Sequence, residues 1–152
     1  MIKHTYMGVD PGPSTGIVLL FVHDDGLWEW MVFQINADAS FWLIQELYAR
    51  FCPRVISVEQ FVPTNKPGTT GKDAATTRRI AEHAYQLAPT IKRQPAAVGR
   101  YRRAADVKPW ASDHRLTKTK FPMGAKFKDA RDAARHAMYA AVSDGKERDP
   151  LA

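Results

Sequence analysis
Residues 4–22, HTYMGVDPGPSTGIVLLFV, decide how the remainder of the chain is read. HTYMGVD (4–10) reads as a strand that runs into DPGPSTG, a turn dense in proline and glycine. GIVLLFV (16–22) is an unbroken apolar run of strand length, as expected of a buried central strand. HDDG follows, and Asp25-Gly26 is a strong hairpin signal. LWEWMVFQI (27–35) alternates well enough for a third strand, so the first 35 residues predict an antiparallel meander.

Beyond the meander the period changes. In residues 38–51, Phe41, Trp42, Ile44, Leu47, Tyr48 and Phe51 fall at helical spacing, with Asp38 or Ser40 placed to cap the start and Pro53 to stop the helix. RVISVE (54–59) is a short β-branched strand. Residues 63–73 read as a loop, 74–88 as a helix ending before Pro89, and Val98 with its neighbours as a fifth strand. Residues 106–128, with Pro109, Pro122 and Gly124, read as irregular. DARDAARHAMYAAV (129–142) is an Ala-rich helix, and residues 144–152 are a polar tail. The order βββ-α-β-α-β-α predicts an α/β fold in which helices cover a mixed sheet.

At 152 residues the chain has room for one domain. Its 45% hydrophobic and 25% charged residues exclude the disordered and fibrous classes. No run of about 18 apolar residues predicts a membrane span, and MIKHTYMGVD lacks the apolar run of a signal peptide. Cys52 stands alone, which rules out an internal disulfide and argues against structural zinc. It reads as a small thiol in or near the core, in a reducing, cytoplasmic setting.

The net charge of +6 is unevenly spread. Residues 1–77 carry 5 Lys/Arg against 8 Asp/Glu, and residues 78–135 carry 15 against 5. That basic segment, which includes Arg78, Arg79, Arg100, Arg102, Arg103, Lys118 and Lys120, suits a polyanion, because bound phosphates release condensed counterions. Tyr101, Trp110 and Phe121 interleave with it as candidate base-stacking residues. A merely solvated basic face is the alternative.

Against this basic background stand four acids. Asp10 lies where a strand meets a Gly/Pro turn, and Glu59 ends the second unit's strand. Asp129 and Asp132 open the last helix three residues apart, on one face, and His136 joins that face. Gathered carboxylates repel one another; the usual remedy is a hard cation such as Mg²⁺, which prefers oxygen ligands. Two such ions about 3.5–4 Å apart suit phosphodiester cleavage. Each residue also has a plainer role: Asp10 as a turn residue, Glu59 as a surface strand end, Asp129 and Asp132 as favourable charges at a helix N-terminus, and His136 as a helix-surface histidine.

Four segments resemble the RuvC family of Holliday-junction resolvases, especially its shorter phage-type members: GVDPGPSTG (8–16), ISVEQF (56–61), AADVKPWAS (104–112) and DARDAARHA (129–137). They stand in family order and anchor roughly residues 4–142. The resemblance implies a ribonuclease H-like nuclease domain over residues 1–143, with a five-stranded mixed sheet whose first three strands are antiparallel. It implies a phage-encoded homodimer, acting in the host cytoplasm, that cuts a four-way DNA junction symmetrically with Mg²⁺ or Mn²⁺. Asp10, Glu59, Asp129 and Asp132 fall on the family's metal-binding acidic positions; some relatives carry histidine in place of Asp129. Lys108 in DVKPW matches a lysine of the catalytic basic motif, and Lys118 or Lys120 matches the second basic residue. His136 is common in phage-type versions of the last motif, without an assigned role.

The sequence also departs from the family. The family often has an aromatic three residues after the second-motif glutamate; here Phe61 follows Glu59 by two, as a base wedge or a core residue, and Val62 holds the third place. Flaps and forks therefore stand beside the junction as substrates. Residues 74–88 lie where the family places a dimer helix, with Ala75, Ile80, Ala81, Ala84, Tyr85 and Leu87 available either for that contact or for packing on this chain's own sheet. Three other functions compete: a nuclease for RNA–DNA hybrid or structured RNA, a non-catalytic branched-DNA binder, and an actin-like or sugar-kinase phosphate loop. Ser14-Thr15 after the glycine turn, the four retained acids and the short chain count against them in that order.

Overall fold
A computed structural model describes residues 1–60, 71–87 and 98–152. Its strands are β1 (Ile2–Asp10), β2 (Ser14–His23), β3 (Trp28–Asn36), β4 (Val55–Glu59) and β5 (Val98–Arg102). Its helices are α1 (Ala37–Phe51), α2 (Gly71–Leu87), α3 (Ala104–Val107), α4 (Asp113–Lys118) and α5 (Lys128–Ser143), with a 3-10 turn at Ala125–Phe127 before α5. The sheet order is β3-β2-β1-β4-β5. β1, β2 and β3 pair antiparallel; β4 pairs parallel with both β1 and β5. This is the expected five-stranded mixed sheet.

The apolar runs of β1, β2 and β4 are continuous because both faces of the sheet are covered. On one face Met7, Val9, Ile17, Leu19, Ile56 and Val58 pack with Ile44, Leu47 and Tyr48 of α1 and Ile80, Ala81 and Ala84 of α2. On the other, Tyr6, Val18, Leu20 and Val55 pack with the alanines of α5. That helix lies unusually close. A Cβ on Gly8 would sit 2.0 Å from the carbonyl oxygen of Ala133, and one on Gly16 would sit 2.2 Å from that of Asp129. Glycine in the strands and alanine on the helix thus bring the N-terminal turn of α5 onto the ends of β1 and β2.

Several local expectations are corrected. Asn36, not Asp38 or Ser40, caps α1, its Oδ1 accepting from the Ala39 N–H at 2.9 Å; Ser40 is buried and donates to the Ala37 carbonyl at 2.6 Å. Trp42 is 67% exposed rather than in the core. Cys52 is exposed too: it ends α1 in the left-handed region at φ 52°, its N–H bonded to the Tyr48 carbonyl. The 106–128 stretch holds α4 and part of α3, each too short for a 3.6-residue period to register in the sequence. Phe121 is buried, edge-on to Trp30. Trp110 is half-buried, edge-on to Tyr139 and covered by the Arg115 guanidinium. The Phe121 ring is therefore closed to stacking on bases, while Trp110 keeps part of its surface on a cleft shared with Tyr139 and Val142.

On α2, Ile80, Ala81 and Ala84 serve this chain's own core, while Ala75 and Tyr85 remain exposed. The polar tail is packed. Glu147 is buried and accepts hydrogen bonds from Tyr6, at 2.8 Å, and from His4. Asp149 pairs with Arg115 at 2.7 Å. No helix among the described residues is long and apolar enough to cross a membrane.

Candidate active site
Asp10 is the last residue of β1 and Glu59 the last of β4; the parallel register runs Val9 to Val58, so the two side chains emerge next to each other. In open α/β sheets this edge, outside the carboxyl ends of the strands, is where ligands bind. The turn after Asp10 is braced by the buried Thr15, whose hydroxyl donates to the Gly12 carbonyl at 2.8 Å. The Ala37 N–H donates to the Pro13 carbonyl at 3.1 Å.

Asp10 is only 8% exposed and shares a side-chain hydrogen bond with Glu59. Burial, then Glu59, then the charges of Asp132 and Asp129 hold its carboxyl well above the usual range. Burial pushes Glu59 up as well, but hydrogen bonds from His136 and Asp10 and the charge of His136 outweigh it and leave Glu59 below its ordinary value. His136 Nε2 stands 3.5 Å from Glu59 Oε1. This histidine is 1% exposed, not on the helix surface, and its Nδ1 is buried without a protein partner.

Asp129 and Asp132 occupy the first turns of α5, whose N-cap residue, Phe127, offers no capping side chain. Gln34 of β3 caps the helix from outside: its Oε1 accepts from the N–H of Asp129 at 2.9 Å and of Ala130 at 3.2 Å. Arg135, with a side chain 6% exposed, meets Asp132 with its Nε at 3.3 Å. Neither Gln34 nor Arg135 was singled out for the site from the sequence. Gln34 leaves no local trace there, being 95 positions from its partner. Arg135 counted only as one basic residue among fifteen, although its i, i+3 spacing from Asp132 is a legible ion-pair signal.

The chemistry of this donor set suits a hard divalent cation. Its oxygens are carboxylate; burial first, and then Glu59, Asp132 and Asp129, hold the Asp10 carboxyl high, and a cation would offset the part that comes from those neighbouring charges. Among the described residues no group of three or more His, Cys, Asp or Glu side chains is disposed to hold a metal ion by itself. Mg²⁺ does not require one: it keeps several waters and is commonly held by one or two carboxylates together with substrate phosphate. The residues therefore fit such an ion as a partly open site.

Lys108, Arg79, Lys118 and Lys120 are exposed, as is Arg78. Lys108 lies near enough to Asp113 to help Arg135 and Arg131 keep that carboxyl below its usual range. Arg102 is engaged by both oxygens of Asp144 at 2.7 Å, Arg100 reaches Asp144 at 3.3 Å, and Arg103 pairs with Asp106 at 3.6 Å. Tyr101 is exposed and stacks on Tyr85, ring centres 4.3 Å apart. Phe61 lies outside the described residues. A cleft of about 400 Å³ lined by Lys3, His23, Trp28 and Glu147 lies at the opposite end of β1 from the acids.

No protein-family model matches the sequence, and no curated protein matches it. Solved structures do match. The chain resembles Thermus thermophilus RuvC with a TM-score of 0.64 at 16% identity, over 97% of this chain and 99% of that one. It resembles the T. thermophilus RuvC in complex with a Holliday junction substrate with a TM-score of 0.60 at 16% identity, over 93% and 97%. The yeast mitochondrial Holliday junction resolvase Ydc2 follows at 0.57 and 14%, over 87% and 75%. The fold is RuvC-like.

Proposed function
We propose that this chain is a divalent-metal-dependent endonuclease that cleaves phosphodiester bonds in branched DNA, the four-way junction first among its substrates. The observation that carries the reading is the meeting of Asp10 with Glu59 at the sheet edge, within electrostatic reach of Asp132 and Asp129, on a RuvC-like fold. An acidic pocket beside a basic segment has a physical use if cations make it attractive to phosphate.

Asp10, Glu59, Asp129 and Asp132 would hold Mg²⁺ or Mn²⁺, two ions at full occupancy. The metal supplies Lewis-acid charge at the scissile phosphate. The protein's own residues do the rest. Burial of Asp10 fixes its carboxylate beneath the phosphate. His136, itself buried, orients Glu59. Lys108 offsets negative charge that builds on the phosphate in the transition state. Arg78, Arg79, Lys118 and Lys120 hold the flanking backbone, and Phe61 wedges at the branch. The active form is a homodimer, since two symmetric cuts need two sites.

The test incubates the protein with labelled four-way junction, flap, linear duplex and RNA–DNA hybrid, with and without Mg²⁺, beside Asp10→Asn. Paired symmetric nicks in the junction, absent from the variant, are expected. Cutting of the hybrid alone would instead indicate a ribonuclease. Tight binding with no cleavage in any divalent metal would leave only a DNA-binding protein.

A further inference from the structure
We propose that Arg135 is a positioning residue: one buried guanidinium holds the Asp132 carboxylate and the turn behind Lys108, so that acid and lysine share a single frame. The inference rests on the endonuclease reading of the site. All three edges of the guanidinium are used. Nε faces Asp132 Oδ1 at 3.3 Å, Nη1 donates to the Ala111 carbonyl at 2.6 Å, and Nη2 bonds Asp113 Oδ1. The three partners lie on α5, on the α3–α4 connection and on the first residue of α4.

The connection is itself stiff. The Ala111 N–H bonds the Val107 carbonyl at 2.9 Å, the Ser112 N–H bonds the Trp110 carbonyl at 3.0 Å, and the Lys108 N–H bonds the Ala104 carbonyl at 2.9 Å. Whatever fixes Ala111 and Asp113 therefore fixes the main chain from which the exposed Lys108 side chain projects. If α5 needed only to be packed against this turn, an apolar side chain of similar volume would serve as well as a buried ion pair. A planar fork serves differently: it sets direction at three partners at once, which a lysine cannot reproduce. Asp132 remains 39% exposed, restrained on one side by Arg135 and open on the other.

Arg135→Lys and Asp113→Asn are compared with the wild-type chain in four measurements. These are single-turnover junction cleavage at saturating protein in Mg²⁺, junction affinity without divalent ion, the thermal midpoint, and metal-free amide hydrogen exchange of residues 107–113. Misplacement of reacting groups by about 1 Å costs roughly 100-fold in rate. Arg135→Lys is accordingly expected to cleave about 30–100-fold slower with junction affinity within about 3-fold of wild type. Asp113→Asn should stay folded with a modestly lowered melting midpoint, and be about 3–10-fold slower, because it removes one of three anchors and a charge partner of the buried guanidinium. In both, exchange across 107–113 accelerates.

A wild-type rate in Asp113→Asn, or in folded Arg135→Lys, overturns the proposal, as does unchanged exchange. If Arg135→Lys does not fold, Asp113→Asn decides alone, because Asp113 is exposed and its replacement opens no core. A wild-type chain that cuts no substrate overturns the endonuclease reading instead, and the exchange rates still report whether Arg135 holds the turn.

Discussion
Asp10 concentrates the electrostatic tension of the site. A carboxyl whose folded value lies above its unfolded one favours the fold at low pH; that contribution is lost as pH rises through the ordinary carboxylate range toward the raised value. Near neutral pH and without divalent ions, burying the Asp10 carboxyl beside Glu59 therefore destabilises the fold relative to the unfolded chain, where that carboxyl ionises freely. Asp10→Asn should melt higher than wild type in chelator at pH 7.5, by about 2–4 °C for each kcal/mol relieved, while abolishing cleavage. Added Mg²⁺ should raise the wild-type midpoint and leave the variant's nearly unmoved. A variant that melts lower than wild type in chelator would contradict this account of Asp10.

At the scale of elements, the decisive contact is α5 against the β1–β2 hairpin. Gly16→Ala would drive a methyl into the Asp129 backbone, and main chain cannot swing aside as a flexible side chain can. Strain of about 1–3 kcal/mol and displacement of the first turn of α5 should follow, with junction cleavage falling about 100-fold or more while the far-ultraviolet dichroism stays near wild type. Gln34→Ala removes a cap shared by two N–H groups. It should cost about 1–2 kcal/mol, read as a melting midpoint lower by several degrees, and slow cleavage more than it weakens junction binding. The α5 acids were legible in the sequence because DARDA follows helix periodicity. Gln34 was not, since its partner is remote along the chain.

For the whole molecule, the C-terminal residues tie distant parts together. Glu147 meets β1 through Tyr6 and His4, Asp144 meets β5 through Arg102 and Arg100, and Asp149 meets α4 through Arg115. Burial pushes the Glu147 and Asp144 carboxyls up, and their hydrogen-bonded cations and donors more than reverse it, leaving both below their ordinary values. Their stabilisation is therefore present above the ordinary carboxylate range and is lost as pH falls through the lowered values. Glu147→Ala should lower the midpoint by an amount equivalent to about 1–3 kcal/mol at pH 7 and by less at pH 3. The exposed lysines set a different property. Lys118→Ala with Lys120→Ala should weaken binding to all DNA forms alike and reduce the salt slope by about 1–2.

The order of the five strands and of the three long helices, the buried character of β1, β2 and β4, and the identity of four candidate acids could be read from the residues. Each follows from local period, local turn chemistry or a short motif, and these act between near neighbours in the chain. Folding alone decided what those residues meet. It buried His136 against Glu59, capped α5 with Gln34, enclosed Arg135 between two carboxylates, drew Phe121 into the core and engaged Arg102 with Asp144. Apart from the Arg135–Asp132 pair, which spans three positions, such contacts join groups tens of positions apart. Their strength depends on how closely the sheet and helix approach and on how much water that approach removes, neither of which any local stretch of sequence encodes.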